Sequence, residues 1–240
     1  MELGITGKRA AVAAASSGLG LGTAKALAGE GVAVAICSRD RARVDDAVAE
    51  IGPGAIGLVC DVSGAAGGTA FVAAATEALG GIDILVTNAG GPPPGNFAST
   101  DLDAYPSAIE LNLMSVVAMC KAAVGPMQER GWGRVVAITS VSVRQPIPNL
   151  ILSNTARAGA TGFLKTLARE VAEDGVTVNS VQPGTHRTAR VTAIYGDAAD
   201  VRMGDADDFG AIVAFLCGQQ AAFLTGAQIH VDGGAYQALL

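Results

Sequence analysis

The chain has 240 residues, of which 50% are hydrophobic and 16% charged, so it can bury a sizeable core and does not have a disordered composition. Its formal net charge of −6 offers neither the basic surface that nucleic acids require nor a polybasic patch for an anionic membrane. Residues Met1–Ala10 lack the apolar core of a signal peptide, and no uncharged run of about 18 residues indicates a membrane span. We therefore expect a cytoplasmic protein with neither nucleic acid nor membrane as a partner.

Short apolar runs alternate with longer stretches rich in alanine and leucine along the whole chain. The apolar runs predict seven strands, at Ala10–Ala14, Val32–Cys37, Ile56–Cys60, Ile82–Thr87, Arg134–Thr139, Thr177–Val181 and Gln228–Val231. The stretches between them predict helices near Leu19–Glu30, Arg41–Ile51, Gly68–Leu79, Leu102–Gln128, Leu152–Glu173 and Asp207–Leu216. The strand runs lack polar alternation, so helices should cover both faces of a mostly parallel sheet. The sequence predicts an α/β, doubly wound Rossmann fold as a single domain over residues 1–240.

The cysteine and histidine residues give no sign of a metal site. Four cysteines lie far apart in apolar segments without C-x-x-C spacing: Cys37, Cys60, Cys120 and Cys217. Buried reduced thiols are their expected state, and disulfides or metal ligands are the alternatives. His186 and His230 are the only imidazoles in the chain, so we expect no transition-metal site.

A turn rich in small residues follows the first predicted strand and opens the first helix. Such a turn lets backbone N–H groups and the helix N-terminus hold a pyrophosphate, although a purely structural tight turn is the alternative. The residues that would hold a cofactor there are Ala14, Ser16, Ser17, Gly18, Leu19 and Gly20.

The second predicted strand ends at Ser38 and Arg39. An acidic side chain here would bind the ribose hydroxyls of NAD, whereas the Arg39 guanidinium suits a 2′-phosphate and Ser38 is a neutral donor. The sequence therefore favours NADP(H) over NAD(H) if a nicotinamide cofactor binds. A solvated charge at Arg39 is the alternative.

Motifs along almost the whole chain resemble, in the right order, those of the short-chain dehydrogenase/reductase (SDR) family. The turn resembles the family's Thr-Gly-x-x-x-Gly-x-Gly, with Ala13 and Ala14 replacing the first two residues. Further matches are Asp61-Val62, Asn88-Ala89-Gly90, Pro183-Gly184 with Thr188, and Val231–Gly234. The resemblance implies that these motifs, the C-terminal one excepted, contact the cofactor. It is closest to a divergent subgroup described as 3-oxoacyl-(acyl-carrier-protein) reductase-like.

The resemblance also implies four catalytic positions, and two of them are altered. Asn112 and Ser140 match the family's Asn and Ser, but Ser153 and Arg157 stand where the family has Tyr and Lys. The family's Tyr moves the proton at the carbonyl oxygen, and its Lys binds the ribose and lowers the pKa of the Tyr. An aliphatic hydroxyl is a far weaker acid than a phenol. Arg157 keeps the positive charge and could bind the ribose or stabilise an oxyanion.

Three interpretations of these replacements remain open. A replacement acid could enter from elsewhere, and Tyr195, His186 and Tyr105 are the candidates. The protein could instead catalyse a non-redox isomerisation, elimination or cyclisation, or it could have lost catalysis. The leading hypothesis is an NADP(H)-linked oxidoreductase that acts on a carbonyl or enone of a small or carrier-bound substrate.

Two further features bear on the substrate and on assembly. Only a short lid, at about residues 189–206, fits between Thr188 and the next predicted helix, which predicts an open and wetter pocket. Small residues are dense in the predicted helices Leu102–Gln128 and Leu152–Glu173. By the resemblance, these helices predict a homo-oligomer, a dimer or a tetramer, and ordinary packing within one chain is the alternative.

Overall fold

The computed structural model describes residues 1–196 and 202–239 and contains one sheet of seven strands. The strands are β1 (Arg9–Val12), β2 (Ala33–Ser38), β3 (Ile56–Val59), β4 (Ile84–Thr87), β5 (Gly133–Ile138), β6 (Val176–Pro183) and β7 (Gln228–Val231). Their order is β3-β2-β1-β4-β5-β6-β7, and every neighbouring pair is parallel. The predicted doubly wound Rossmann fold is confirmed.

Helices cover both faces of this sheet. They are α1 (Gly18–Gly29), α2 (Arg41–Ile51), α3 (Gly64–Leu79), α4 (Ala104–Ile109), α5 (Ser115–Glu129), α6 (Ile151–Glu170), α7 (Ala189–Tyr195) and α8 (Ala206–Cys217). Successive strand residues point to opposite faces. In β4, Leu85 belongs to the core cluster that includes α3, α5 and α6, whereas Ile84 and Val86 belong to the cluster that includes α1 and α8. This two-sided burial explains the unbroken apolar strand runs.

The predicted single helix Leu102–Gln128 is wrong in detail. The structure has α4 and α5 joined by a π-helical segment at Glu110–Met114, with Asn112 inside it. By length and hydropathy alone, Ala104–Glu129 would pass for a membrane span, but half of its apolar window is buried inside the protein. A core helix of a globular fold has the same composition, so the apolar character is explained by packing.

Two other differences from the prediction bear on the site. β1 ends at Val12 and not at Ala14, because the backbone of Ala14 takes a left-handed conformation with φ of +48°. The predicted lid contains the short helix α7. Thr188 caps the N-terminus of this helix, because its hydroxyl accepts a hydrogen bond from the N–H of Val191. Residues 197–201 of the predicted lid lie outside the described residues.

Helices α1 and α8 pack with almost no space between their backbones. A Cβ on Gly22 would lie 2.1 Å from the carbonyl oxygen of Ala206, and one on Gly210 would lie 2.2 Å from the carbonyl oxygen of Gly22. Only hydrogen fits at either position, so these two glycines set how closely α8 lies against the helix that opens at the small-residue turn.

The four cysteines are free thiols, as predicted. Burial raises the pKa of Cys37, Cys120 and Cys217 to about 12 in each case. Cys60 is half-buried, and burial followed by the nearby Asp61 carboxylate raises its pKa as well. Thiols with raised pKa values are poor nucleophiles, so these side chains are structural.

A buried ion pair joins β1 to β4 at the amino ends of the strands. Asp83 is 6% exposed, and Arg9 donates to its two carboxylate oxygens from Nε and Nη2, both at 2.8 Å. Arg130 lies 3.5 Å from the same carboxylate. Burial alone would raise the pKa of Asp83, but the hydrogen bonds and charge of Arg9, together with the charge of Arg130, lower it on balance.

We predict that Asp83→Asn lowers the free energy of unfolding by about 3 kcal/mol, because Arg9 and Arg130 would lose their counter-charge. Urea denaturation at neutral pH measures this loss. Because the folded pKa of Asp83 lies below its unfolded value of about 3.9, its contribution is complete above that pH and disappears as the pH falls through the folded pKa. The control is Asp45→Asn, whose exposed partner is Arg41, with an expected change below about 0.5 kcal/mol.

Candidate active site

A cavity of about 520 Å³ opens at the carboxyl ends of β1, β4, β5 and β6, and we call it the site cavity. This edge of a doubly wound sheet is where ligands bind in such folds. Fourteen of the predicted site residues line it: Ala14, Ser17, Gly18, Leu19, Gly20, Asn88, Ala89, Gly90, Ser140, Ser153, Arg157, Pro183, Gly184 and Thr188. The sequence therefore predicted half of the residues that line the cavity.

The small-residue turn is fastened to β4 by one side chain. The Asn88 amide donates from Nδ2 to the carbonyl oxygens of Ala13, at 3.2 Å, and Ala14, at 3.1 Å. A Cβ on Gly20 would lie 2.9 Å from that nitrogen, so glycine at this position makes the bridge possible. Gly18 has φ of +57°, and a Cβ there would lie 3.2 Å from Cγ2 of Thr188. The turn thus has a shape that larger residues would destroy.

Five predicted cofactor residues do not line the cavity: Ser16, Ser38, Arg39, Asp61 and Val62. Ser38 ends β2 and Arg39 follows it, while Asp61 and Val62 follow β3, so all four lie at the same sheet edge, on the β3 side of β1. Val62 is 5% exposed, and its side chain belongs to the core. Asp61 accepts from the hydroxyl and N–H of Ser63, which lowers its pKa, and the charge of Arg39 lowers it further. Their contacts with a cofactor stay predictions.

The sequence did not single out Arg43, which the structure brings to the turn. Its Nη2 donates to Oγ of Ser17 at 3.0 Å. The position follows from the N-cap of α2, since the Asp40 carboxylate accepts from the N–H of Arg43 and directs the first helical turn. The sequence contained one indication of this position: Asp40, next to Arg39, is a typical N-cap residue, and Arg43 lies three residues after it.

Ser153 and Arg157 lie one turn apart on α6 and both line the site cavity. Ser153 is 8% exposed. Arg157 donates from Nη1 to the carbonyl oxygens of Ile138, at 3.1 Å, and Thr139, at 3.3 Å, and from Nη2 to that of Ala89, at 3.5 Å. Burial lowers the pKa of Arg157 to about 10, with a smaller effect from the charge of Arg190. Arg157 is therefore a cation at neutral pH.

The described lining of the cavity carries positive and no negative side chains. Arg157 and Arg190 both contribute to it, and no Asp or Glu does among residues 1–196 and 202–239. Arg190 donates from Nη2 to the carbonyl oxygen of Pro92 at 2.6 Å, which links α7 to the loop that follows β4. Such a lining favours an anion or a developing oxyanion.

Asn112 does not line the cavity, and its catalytic role stays a prediction. It is 2% exposed, and its Nδ2 donates to the carbonyl oxygen of Gly90 at 2.9 Å. The π-helical segment turns this side chain toward the loop after β4, so Asn112 supports Gly90 from behind. Its Oδ1 accepts no hydrogen bond among the described residues.

The three candidate replacement acids have different positions. His186 is 3% exposed and lines the cavity, but Nδ1 donates to the carbonyl oxygen of Gly184 at 3.2 Å and the ring packs edge-on against Phe209. Tyr105 lies on α4 and does not line the cavity. The Tyr195 side chain lies outside the described residues.

A phenol that the sequence reasoning missed, that of Tyr236, lines the cavity. It follows β7, which pairs with β6, and the carboxyl end of β6 borders the cavity at Pro183 and Gly184. The available signal was the C-terminal motif Val231–Gly234, because a strand beside β6 delivers the following residues to the same edge.

No metal cluster is found within the described ranges, 1–196 and 202–239: no three His, Cys, Asp or Glu side chains there come together. The polar side chains of the lining carry hydroxyl, amide, imidazole and guanidinium groups, and the other side chains are apolar.

Comparison with known proteins decides the family. The family model described as Enoyl-(Acyl carrier protein) reductase matches residues 13–236. The chain is 34% identical over 211 residues to Dehydrogenase/reductase SDR family member 4 of Sus scrofa, covering 82% of this chain and 76% of that protein. The chain belongs to the short-chain dehydrogenase/reductase family. Its class is that of the SDR oxidoreductases.

Solved SDR structures share the whole fold. The L-sorbose reductase from Gluconobacter frateurii, complexed with NADPH and L-sorbose, superposes with a TM-score of 0.92 at 28% identity, covering 100% of both chains. The 3-ketoacyl-(acyl-carrier-protein) reductase from Brucella melitensis, complexed with NADH, gives a TM-score of 0.89 at 30% identity, covering 96% of this chain and 98% of that one. The two relatives hold different nicotinamide cofactors at this fold.

We predict that Ala14→Gly raises the melting temperature by about 2–4 °C. A non-glycine residue with φ of +48° is strained, and its relief is worth about 1 kcal/mol. Thermal unfolding followed by circular dichroism measures the shift. The matched control is Ala13→Gly at the neighbouring buried position, which has no positive φ and should destabilise the protein by removing a core methyl group. A lower melting temperature for Ala14→Gly would contradict the interpretation of strain.

Proposed function

We propose that the protein is an NADP(H)-linked reductase for the carbonyl or enone of a small or carrier-bound substrate. The observation that carries this proposal is the site cavity, which joins a glycine-shaped turn at one end to Ser140 and Arg157 at the other. The L-sorbose and 3-ketoacyl-carrier reductases with the same fold support it. Two properties are inferred beyond the family: the preference for NADP(H), and reduction without a Tyr at position 153.

The residues at the turn fit a dinucleotide. The N-terminus of α1 opens at Gly18, has no acidic residue in its first turn, and its N-cap Ser17 accepts no hydrogen bond from the helix backbone. Unpaired N–H groups at such a helix start are suited to a diphosphate. Gly18, Gly20 and Gly90 would lie along the cofactor, and Thr188 and Arg157 would hold its nicotinamide half. When bound, the cofactor supplies the hydride.

The preference for the phosphorylated cofactor rests on two guanidinium groups. Arg39 is exposed at the end of β2, and Arg43 reaches Ser17 at the edge of the turn. Two arginines beside a neutral Ser38 suit a 2′-phosphate, since each can form charge-assisted hydrogen bonds to it. The charge of Arg39 also lowers the pKa of Asp61, after the hydrogen bonds from Ser63, so the two side chains lie in the same region.

At the other end, Ser140 and Arg157 would act on the substrate oxygen. Oγ of Ser140 accepts from the N–H of Ser142 at 3.1 Å, so its own proton can be donated to a carbonyl oxygen in the cavity. Arg157 holds a positive charge beside that position. Charge that develops on the substrate oxygen would be stabilised by both groups.

We predict that Arg39→Ala weakens NADPH binding about tenfold or more and leaves NADH binding unchanged, because only NADPH carries the 2′-phosphate. Arg43→Ala should act in the same direction. Isothermal titration calorimetry with both cofactors measures the affinities. Arg41→Ala is the matched control, since Arg41 is exposed and pairs with Asp45. If the wild-type protein binds neither cofactor at millimolar concentration, the proposed function is wrong.

A non-redox isomerase, dehydratase or cyclase is the second candidate. The serine at position 153 favours it, because proton transfer by a phenol at that position is lost while Ser140 and Arg157 could still stabilise an enolate. Turnover that consumes NADPH in a one-to-one ratio with product would exclude this candidate.

We also propose a homo-oligomer that forms through α5 and α6. Ala158, Gly159 and Gly162 are exposed on α6, and Gly125 is exposed on α5. Exposed small residues let helices of two protomers approach closely, which is compatible with the dimer or tetramer expected from the sequence.

We predict that Gly162→Arg reduces the assembly to monomers, because the added side chain would stand between the protomers. A Cβ at Gly162 meets no atom within 4 Å, so the protomer itself should fold. Light scattering after size exclusion measures the mass against the 23.9 kDa protomer. Ala66→Arg, at an exposed position on α3, is the matched control and should leave the mass unchanged. A monomeric wild-type protein would contradict the proposal.

A further inference from the structure

A tyrosine that does not belong to α6 is among the residues that line the site cavity. Tyr236 lines the same cavity as Ser140, Ser153 and Arg157, although it comes from the C-terminal segment and not from α6. We propose that Tyr236 is the proton donor of the carbonyl reduction, in place of the Tyr absent at position 153. This proposal rests on the proposed function and names the residue that completes it.

The segment around Tyr236 is fastened to the wall that carries Ser140. The N–H of Gln237 donates to Oε1 of Gln145 at 3.3 Å, and Gln145 itself lines the cavity. Gln145 belongs to the segment that follows Ser140, and its N–H donates to the carbonyl oxygen of Val141 at 3.2 Å. The C-terminal segment is thus held against the chemical end of the cavity.

Asp232 and His230 also contact Tyr236, one at its backbone N–H and the other at its ring. The Asp232 carboxylate accepts from the N–H of Tyr236 at 2.8 Å and from that of Gly234 at 2.9 Å. Burial alone would raise the pKa of Asp232, but these hydrogen bonds and the nearby His230 lower it on balance, so the carboxylate is ionised at neutral pH. The Tyr236 ring stands edge-on against His230, with 4.5 Å between ring centroids. A half-buried phenol held at its backbone and its ring is pre-positioned for contact with a ligand.

The other described candidates are less suited to this role. The hydroxyl of Ser153 is aliphatic and a much weaker acid than a phenol. The His186 ring is packed between Phe209 and Gly204, and its Nδ1 proton is engaged by Gly184. Tyr105 does not line the cavity. Tyr236 is the one tyrosine in the described lining of the cavity, which makes it the candidate donor.

The proton transfer balances as follows. The hydride and its electron pair would come from a bound reduced nicotinamide dinucleotide and would form the new C–H bond at the carbonyl carbon. As the C=O π bond breaks, its electron pair moves to the oxygen, where Arg157 stabilises the negative charge. The O–H bond of Tyr236 then breaks, and its proton forms the new O–H bond of the alcohol. Water at the open mouth of the cavity returns a proton to the phenolate, so the residue is restored.

The first test needs no turnover. The chain has three tyrosines, so protein labelled with ¹³C at the tyrosine rings gives three sets of signals, which Tyr105→Phe, Tyr195→Phe and Tyr236→Phe assign. We expect saturating NADPH to shift the Tyr236 signal and leave the Tyr105 signal in place, with binding checked by calorimetry on the same samples. NADPH binding without movement of the Tyr236 signal overturns this proposal alone. Absence of NADPH binding overturns the proposed function and this proposal with it.

The second test follows reduction of acetoacetyl-CoA with NADPH. We expect Tyr236→Phe to lower kcat about 100-fold or more, which is the usual loss for a general acid, and to leave the NADPH affinity within about threefold. The matched control Tyr105→Phe should retain the wild-type rate. A loss confined to Tyr195→Phe, or a Tyr236→Phe variant with the wild-type rate, overturns the proposal. If the wild-type protein does not reduce this probe, the signals of the first test decide.

A rescue experiment distinguishes proton donation by Tyr236 from a purely structural role of this residue. Adding Ser153→Tyr to Tyr236→Phe returns a phenol to the cavity one turn before Arg157, without restoring any contact of the C-terminal segment. We expect this double variant to recover at least about tenfold in kcat over Tyr236→Phe. A double variant no faster than Tyr236→Phe alone, in a protein that still binds NADPH, would count against proton donation.

Discussion

The amide of Asn88 joins the ends of β1 and β4 at the edge of the sheet where the site cavity opens. At the end of β1 the chain leaves the ladder, and the carbonyl groups of Ala13 and Ala14 need new hydrogen-bond donors. Asn88 provides both hydrogen bonds from β4, and it can approach only because Gly20 has no side chain. The shape of the turn, the start of α1 and the phosphate end of the site cavity all depend on this bridge.

Much of this architecture could be predicted from the sequence, because apolar runs without polar alternation have few other solutions than a covered parallel sheet. The segment around Asn112 could not. Asn112 in its π-helical turn donates to the carbonyl oxygen of Gly90, which is 22 residues away in sequence, and a 3.6-residue periodicity contains no information on such a contact. The left-handed backbone at Ala14 was equally hidden, since alanine is normally found elsewhere in φ/ψ space.

In the candidate site, too, some residues could be predicted from the sequence and others could not. Residues in motifs that follow strands were found, because the carboxyl ends of parallel strands always meet at one edge. Tyr236 and Arg43 were missed, because each reaches the edge through a tertiary arrangement: the pairing of β7 with β6, and the first turn of α2 beside the small-residue turn. Arg157 was found, but its three carbonyl partners were not foreseeable from the spacing of residues on α6.

The contact between α1 and α8 has a consequence for the energetics of binding. With Gly22 and Gly210 in backbone contact, α1 packs against both the sheet and α8. A ligand that binds there meets a surface whose conformational entropy was already lost during folding, so little further ordering opposes association. The affinity for a ligand at this end should therefore depend on its individual polar contacts. Loss of one contact should lower the binding free energy by nearly the full contribution of that contact.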